Sequence, residues 1–76
     1  MVHAYIMIRT GPGASADLIE SVRSVSQVTD AHIVAGEHDI IAEVEVDAVY
    51  EVLETATATI QDLDGIIETR SYIALN

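Results

Sequence analysis

The sequence predicts an α+β domain in which two helices cover one face of a four-stranded antiparallel sheet. Three observations lead to this prediction. The chain has 76 residues, which is the length of one small domain. Its apolar residues fit strands in four segments and recur at helical spacing in two others. These segments follow the order β-α-β-β-α-β, so two similar halves share one sheet.

The first half of the chain begins with a strand and continues with a helix. Residues 2–9 (VHAYIMIR) are rich in β-branched and aromatic residues and end at the turn Thr10-Gly11-Pro12-Gly13. Ser15 or Asp17 is expected to cap the helix that follows. The apolar positions at helical spacing are Leu18, Ile19, Val22 and Val25.

The middle of the chain predicts two strands and a tight hairpin. Residues 30–35 and 39–46 both have strand composition, and Gly36-Glu37-His38 between them is short enough for a hairpin turn.

The last third predicts a second helix and a fourth strand. Asp47 is expected to cap the helix, and Asp62-Leu63-Asp64-Gly65 is expected to end it before a strand over residues 66–75. The apolar line of this helix is Val49, Leu53, Ala56 and Ile60.

This order of elements is the ferredoxin-like, split βαβ arrangement. Right-handed crossovers place both helices on one face, so the other face of the sheet stays uncovered. Tyr5, Met7 and Ile41 are expected on that uncovered face, beside charged residues. A patch with an apolar centre and a charged rim is typical of an interface, so we expect a sheet-to-sheet dimer.

The composition restricts the classes of partner. Thirteen acidic residues against three arginines and no lysine give a formal charge of −10, which repels nucleic acids and anionic membranes. Such a surface is typical of a halophilic, salt-adapted prokaryote. The N-terminus has no signal-peptide pattern, so a cytoplasmic location is expected.

Motifs for catalysis or metal binding are weak. The turn at residues 10–13 lacks the lysine and the spacing of a phosphate-binding loop. His38 lies between Glu37 and Asp39, but two ligands on one loop do not make a metal site. We therefore expect no catalytic residue, no metal and no cofactor.

Two segments carry a family resemblance. Residues 34–44 (VAGEHDIIAEV) join two strands through a glycine, two variable residues and an aspartate, and residues 63–75 place Thr69 and Ser71 two apart in the last strand. Together they resemble the effector-binding (RAM) domain of the Lrp/AsnC, or feast/famine, transcription regulators, across essentially the whole chain. Ser71 replaces a threonine of the family pattern.

The resemblance implies a site, an assembly and a function. It places an amino acid or related metabolite between subunits, at Gly36, Glu37, His38, Asp39, Thr69 and Ser71. Since the winged DNA-binding part of these regulators is missing before residue 2, it implies a stand-alone domain that oligomerises and modulates full-length regulators by mixed assembly.

The residues themselves leave alternatives open. Gly36 allows a positive φ and Asp39 can accept bonds from an ammonium group, yet both are also ordinary turn residues. An ACT-like amino-acid-binding domain shares the element order and would bind its ligand at the turn holding Gly11 and Gly13. A dimeric ferredoxin-like monooxygenase or isomerase is the enzyme alternative.

Overall fold

The computed structural model describes residues 1–76 and contains the predicted β-α-β-β-α-β order. The prediction of an α+β fold with one four-stranded antiparallel sheet is confirmed. The elements are β1 (Val2–Thr10), α1 (Ser15–Arg23), β2 (Val28–Ile33), β3 (Ile40–Val46), α2 (Val49–Glu54) and β4 (Ile66–Ile73).

The four strands form one antiparallel sheet in the order β2-β3-β1-β4. This is the ferredoxin-like order, in which the two halves of the chain interleave. In the central strand, Met7 lies opposite Ile41 on one side and opposite Arg70 on the other. Because residues directly opposite each other share a face, this register decides which side chains of all four strands lie together.

The hydrophobic core lies between the sheet and the helices. The alternation of β1 and β3 is strict: Ile6, Ile8, Ile40 and Val44 are fully buried, whereas their neighbours in sequence are partly exposed. The helices and the residues that directly follow them contribute seven further buried positions, namely Leu18, Ile19, Val22, Val25, Val52, Ala56 and Ile60. Neither helix is long and apolar enough to span a membrane.

The other side of the sheet, turned away from the helices, is here called the open face. Its members follow from the register and the burial pattern. They are His3, Tyr5, Met7 and Arg9 of β1, Asp30 and His32 of β2, Ile41, Glu43 and Glu45 of β3, and Glu68, Arg70 and Tyr72 of β4.

The second helix changes character along its length. After α2, the chain continues as a π-helical segment, Thr55–Ile60. The Thr55 and Thr57 hydroxyls donate to the carbonyl oxygens of Glu51 and Leu53, at 2.8 and 2.7 Å. Side-chain donors on these carbonyls compete with the ordinary helical ladder, which accounts for the wider turn in a segment of alternating threonine and alanine.

The predicted helix caps are wrong. Ala14 precedes α1 and Ala48 precedes α2, and neither helix has a side-chain capping bond. Ser15 and Asp17 instead lie inside the first turn of α1, where Asp17 complements the helix dipole. Asp47 lies one residue before the cap of α2 and is exposed.

The predicted tight hairpin is a longer connection, here called the 34–39 connection. β2 ends at Ile33 and β3 begins at Ile40, so six residues join them. The backbone N–H of Val34 donates to the carbonyl oxygen of Asp39 at 2.9 Å and closes the base of the loop. The backbone at Gly36 has no positive φ, so the conformation that a glycine allows at this position is not used.

Positive φ values occur instead at Gly13 (73°) and Gly65 (99°). Gly65 lies before β4, and its carbonyl oxygen accepts the N–H of Gly11 at 3.0 Å, which joins the two turns at one end of the sheet. A Cβ atom at Gly65 would lie 3.1 Å from Cδ1 of Leu18. Both the backbone conformation and the packing therefore require glycine at this position.

Candidate functional site

A groove on the open face, beside the 34–39 connection, is the candidate ligand site. Its volume is about 330 Å³, a size suited to a small metabolite. The lining comes from the connection and from the three strands β1, β3 and β4, and it consists of Met7, Val34, Ala35, Gly36, Glu37, His38, Ile41, Arg70 and Tyr72.

The floor of the groove is apolar. Met7 lies opposite Ile41 in the register of β1 and β3, and both side chains are partly buried although no helix covers them. Tyr72 of β4 extends this floor and leaves 54% of its surface exposed. The floor can thus pack against an apolar side chain of a ligand or of a second subunit.

One wall of the groove is polar, and its buried part is His38. The His38 side chain is only 10% exposed, and its Nε2 atom is buried without a hydrogen-bond partner. The carboxylate oxygen Oε2 of Glu68 lies 3.7 Å away, beyond hydrogen-bonding distance. A buried imidazole nitrogen without a partner costs about 1–3 kcal/mol, so this wall is not satisfied by the chain alone.

Arg70 continues the polar wall. Its Nε atom lies 3.7 Å from the same Glu68 oxygen that faces His38, and its side chain is 64% exposed. Glu68 itself does not line the groove, but its carboxylate lies 3.7 Å from both His38 and Arg70, and the lining also contains the acidic residue Glu37. The lining thus holds one guanidinium and one carboxylate, which can bind the carboxylate and the ammonium group of a zwitterion.

The 34–39 connection is held from β1. The guanidinium group of Arg9 donates two hydrogen bonds to the carbonyl oxygen of Glu37, at 3.2 and 3.0 Å. The backbone N–H of Asp39 donates to the carbonyl oxygen of Ile8 at 2.9 Å, and Oδ2 of Asp39 accepts the Thr10 N–H at 2.8 Å. These bonds give the groove a preorganised rim.

The structure brings together three of the six predicted ligand contacts. Gly36, Glu37 and His38 line the groove. Asp39 adjoins it, but one of its carboxylate oxygens is engaged by Thr10, so any bond to a ligand must use the other oxygen.

Thr69 and Ser71 lie elsewhere. They are opposite Ile8 and Ile6 in the register of β4 and β1, which places them on the face that the helices cover. The structure therefore does not bring Thr69 and Ser71 to the groove, and a role for them in ligand binding stays a prediction.

Sequence reasoning missed Arg70 and Tyr72. They alternate with Thr69 and Ser71, so the choice between the two pairs depends on which face of β4 meets the core. Both faces of this strand carry apolar and polar residues, and only the register with β1 decides between them. Arg70 could have been identified as a candidate for binding a ligand carboxylate, because the chain has only three basic residues that could do so.

The residues predicted for the dimer interface lie on the open face. Tyr5 is 38% exposed in the isolated chain, whereas Met7 and Ile41 are partly buried and also line the groove. The predicted interface and the candidate groove therefore share Met7 and Ile41.

A second cleft lies at the opposite end of the sheet. Its volume is about 370 Å³, and its lining is mainly polar: Met1, Ser26, Gln27, Thr29, Glu45, Val46, Asp47 and Glu51. No group of three or more histidine, aspartate or glutamate side chains has a geometry suited to a metal ion. We therefore place the candidate site at the groove beside the 34–39 connection, where a buried polar group lacks a partner.

Comparison with known proteins agrees with this architecture. The family profile described as "Lrp/AsnC ligand binding domain" matches residues 3–76. No curated protein sequence matches the chain.

Solved structures of similar length superpose closely. TTHA0845 from Thermus thermophilus has 28% identity and a TM-score of 0.93, with 100% of this chain and 95% of that chain covered. The hypothetical protein PHS023 from Pyrococcus horikoshii has 30% identity and a TM-score of 0.87, with 100% and 92% covered.

A longer protein contains the same fold. The transcriptional regulator NMB0573 from Neisseria meningitidis, solved as an L-Met complex, has 19% identity and a TM-score of 0.86. The alignment covers 99% of this chain and 50% of the regulator.

Proposed function

The chain belongs to the Lrp/AsnC ligand-binding domain family, and on that premise we propose that it senses an amino acid or a related metabolite in the groove beside the 34–39 connection. The observation that carries this proposal is the buried His38 Nε2 atom, which lacks a partner on the wall of that groove. Binding, rather than catalysis, is the role proposed for these residues.

The chemistry of the groove supports an amino acid as the ligand class. The exposed guanidinium of Arg70 can donate to a ligand carboxylate, and the carboxylate of Glu37, which also lines the groove, can accept bonds from a ligand ammonium. The apolar floor then receives an aliphatic or thioether side chain, and the L-Met complex of the Neisseria regulator supports the same class.

Self-association through the open face is part of the proposal. Tyr5, Met7, Ile41 and Tyr72 form an apolar strip that no element of the chain covers. A second copy packed on this strip would bury it and would close the groove over its ligand. A domain of 76 residues gains stability from such a partner, since its own core is small.

The proposed function also includes assembly of this chain with longer regulators that contain the same fold. The Neisseria regulator contains the same fold in about half of its length. Longer regulators of this kind can present an equivalent sheet face, so we include co-assembly with full-length family members in the proposed role. An amino acid bound to this chain would then shift the conformational equilibrium of the regulator through the shared interface.

Calorimetric titration against the twenty amino acids tests the ligand class. We expect at least one amino acid with an apolar side chain to bind the wild-type protein, and Tyr72→Ala to weaken its affinity about tenfold or more, since large aromatic contacts often exceed 1.4 kcal/mol. Tyr50→Ala is the matched control, because Tyr50 is a comparably exposed tyrosine (65%) on α2.

Two outcomes would count against the proposal. Absence of binding for all twenty amino acids would exclude this ligand class. Equal losses in the two tyrosine variants would place the ligand away from the groove.

A further inference from the structure

All three histidines of the chain lie on or against the open face, and each lies beside a carboxylate. The three pairs are His3 with Glu43 at 3.3 Å, His32 with Asp30 at 3.1 Å and His38 with Glu68 at 3.7 Å, each measured from Nε2 to a carboxylate oxygen. The helix-covered side of the molecule has no histidine. The groups that can change charge near neutral pH are therefore concentrated on one surface.

The His3 pair lies at the end of the face away from the groove. His3 contacts the Glu43 carboxylate and is opposite Glu45 in the register of β1 and β3, so a second acidic residue lies on the same face beside it. The ring of Tyr5 packs against it, with the centroids 5.3 Å apart. The His3 and Glu43 side chains are 43% and 33% exposed, so a covering subunit would remove much of their remaining hydration.

The His32 pair lies on the edge strand β2. His32 is opposite Ile41, and Asp30 is opposite Glu43, so a further carboxylate faces this pair from β3. Both members are at least half exposed, at 65% and 51%.

The His38 pair lies at the groove. The charged groups around His38 are Glu68 and Arg70 of β4, its neighbours Glu37 and Asp39 in the 34–39 connection, and Arg9 of β1, which binds the Glu37 carbonyl. Arg9 donates to the Glu37 carbonyl oxygen through two of its guanidinium nitrogens, Nε and Nη2. His38 is the most buried of the three histidines, so water screens its interactions with these neighbours least.

With neutral histidines, the open face is acidic. Four carboxylates (Asp30, Glu43, Glu45 and Glu68) stand against two guanidinium groups (Arg9 and Arg70), which leaves a charge of −2. Two such faces repel each other when they meet. Protonation of His3 and His32, the two histidines of the open face, changes its charge from −2 to 0, and protonated His38 beside the face adds a positive charge next to Glu37 and Asp39; each histidine then forms a neutral ion pair with its carboxylate.

Burial of the open face between two copies further favours protonated histidines in the assembly. Covering a carboxylate beside a neutral imidazole leaves an uncompensated charge away from water, whereas covering a carboxylate beside an imidazolium removes a neutral ion pair from water. In every case the carboxylate oxygen lies within 3.7 Å of the histidine Nε2 atom, so a protonated ring already has its partner in place. Association should therefore take up protons.

We propose that protonation of His3, His32 and His38 controls the self-association of this chain through its open face, so that the assembly tightens as the pH falls through the range in which histidine titrates. This inference rests on the proposed sheet-to-sheet association and adds the regulation of that interface. Protonation would also close the groove more firmly over its ligand.

Sedimentation equilibrium between pH 8 and pH 6 at constant ionic strength tests the inference, with no ligand added. We expect the dissociation constant of the wild-type assembly to fall about tenfold or more from pH 8 to pH 6, within the range usual for coupled equilibria. The variant His3→Gln/His32→Gln/His38→Gln should associate with a dissociation constant that changes less than about twofold over this range, because carboxylates titrate at lower pH. Glu54→Gln on α2 is the control, since it changes the net charge away from the open face and should keep the pH dependence.

The outcomes separate this inference from the proposed function. Wild-type assembly of equal strength at both pH values would overturn proton control and leave the sheet-to-sheet association intact. A monomer at every pH would overturn both. An equal pH dependence in the histidine-free variant would also overturn the inference, since other groups would then take up the protons.

Discussion

The carboxylate of Asp39 accepts a hydrogen bond from the backbone N–H of Thr10 at 2.8 Å. Thr10 is only 6% exposed, so this bond satisfies a donor that water hardly reaches. It ties the end of the 34–39 connection to the end of β1. Asp39 is thus used by the fold, while the charged residues that line the groove are Glu37 and Arg70, beside His38.

The role of Asp39 in the fold predicts different effects for two substitutions. Asp39→Ala removes the acceptor of a buried N–H and should lower the free energy of unfolding by about 1–3 kcal/mol. Asp39→Asn keeps a side-chain oxygen at the same place and should lose less than about 1 kcal/mol. Urea unfolding followed by circular dichroism measures both values. Equal losses in the two variants would show that the bond to Thr10 contributes little.

Glycine is predicted to matter at position 65 and not at position 36. Gly65→Ala should destabilise the protein by at least about 1–2 kcal/mol, because an L residue is strained at a φ of 99° and its Cβ would crowd Leu18. Gly36→Ala is the control: the site has open space and no positive φ, so a change within about 0.5 kcal/mol is expected. Thermal unfolding of both variants gives the comparison, and a larger loss at Gly36 would contradict the structure.

The element order and the alternation of β1 and β3 could be predicted from the sequence, whereas the apolar line of the second helix was partly wrong, since Val49 and Leu53 are exposed and Val52 is buried. In β1, Ile6 and Ile8 alternate with Tyr5 and Met7, and this alternation alone assigns the two faces. The ends of the elements depend on individual hydrogen bonds, which leave no such pattern. The π-helical turn after α2, for example, depends on where the hydroxyl of Thr55 finds an acceptor.

The site was only partly predictable for a related reason. Gly36, Glu37 and His38 are adjacent in sequence, so a loop motif identifies them together. Arg70 reaches the groove from another strand, through a register that a single sequence does not reveal. The buried Nε2 atom of His38 likewise depends on the packing of the 34–39 connection against β4, which is a tertiary property.

A charge placed at the centre of the open face should prevent self-association. Ile41→Asp puts an unpaired carboxylate between the two sheets and should weaken the assembly by at least about tenfold. Leu53→Asp on α2 is the control, because Leu53 is an apolar residue that is 56% exposed and lies away from the open face. Light scattering over a dilution series measures both. Loss of assembly in the Leu53 variant alone would place the interface on the helices.

The charge of −10 predicts a stabilising effect of salt. Raising the ionic strength from 0.01 M to 1 M shortens the Debye length from about 30 Å to about 3 Å, which removes most of the repulsion among surface carboxylates. The unfolding temperature should therefore rise with potassium chloride concentration. The same unfolding temperature in dilute and molar salt would argue against adaptation to a salt-rich environment.

The location of the bound ligand tests the central proposal most directly. In a ¹H–¹⁵N correlation spectrum, an amino acid that binds by calorimetry should shift the backbone signals of residues 34–38, Met7, Arg70 and Tyr72, which belong to the groove on the open face. The turn that contains Gly11 and Gly13 should remain unchanged, because it lies outside that groove. Shifts confined to residues 10–15, with none at the groove, would contradict the proposal and favour ACT-like binding at the first turn.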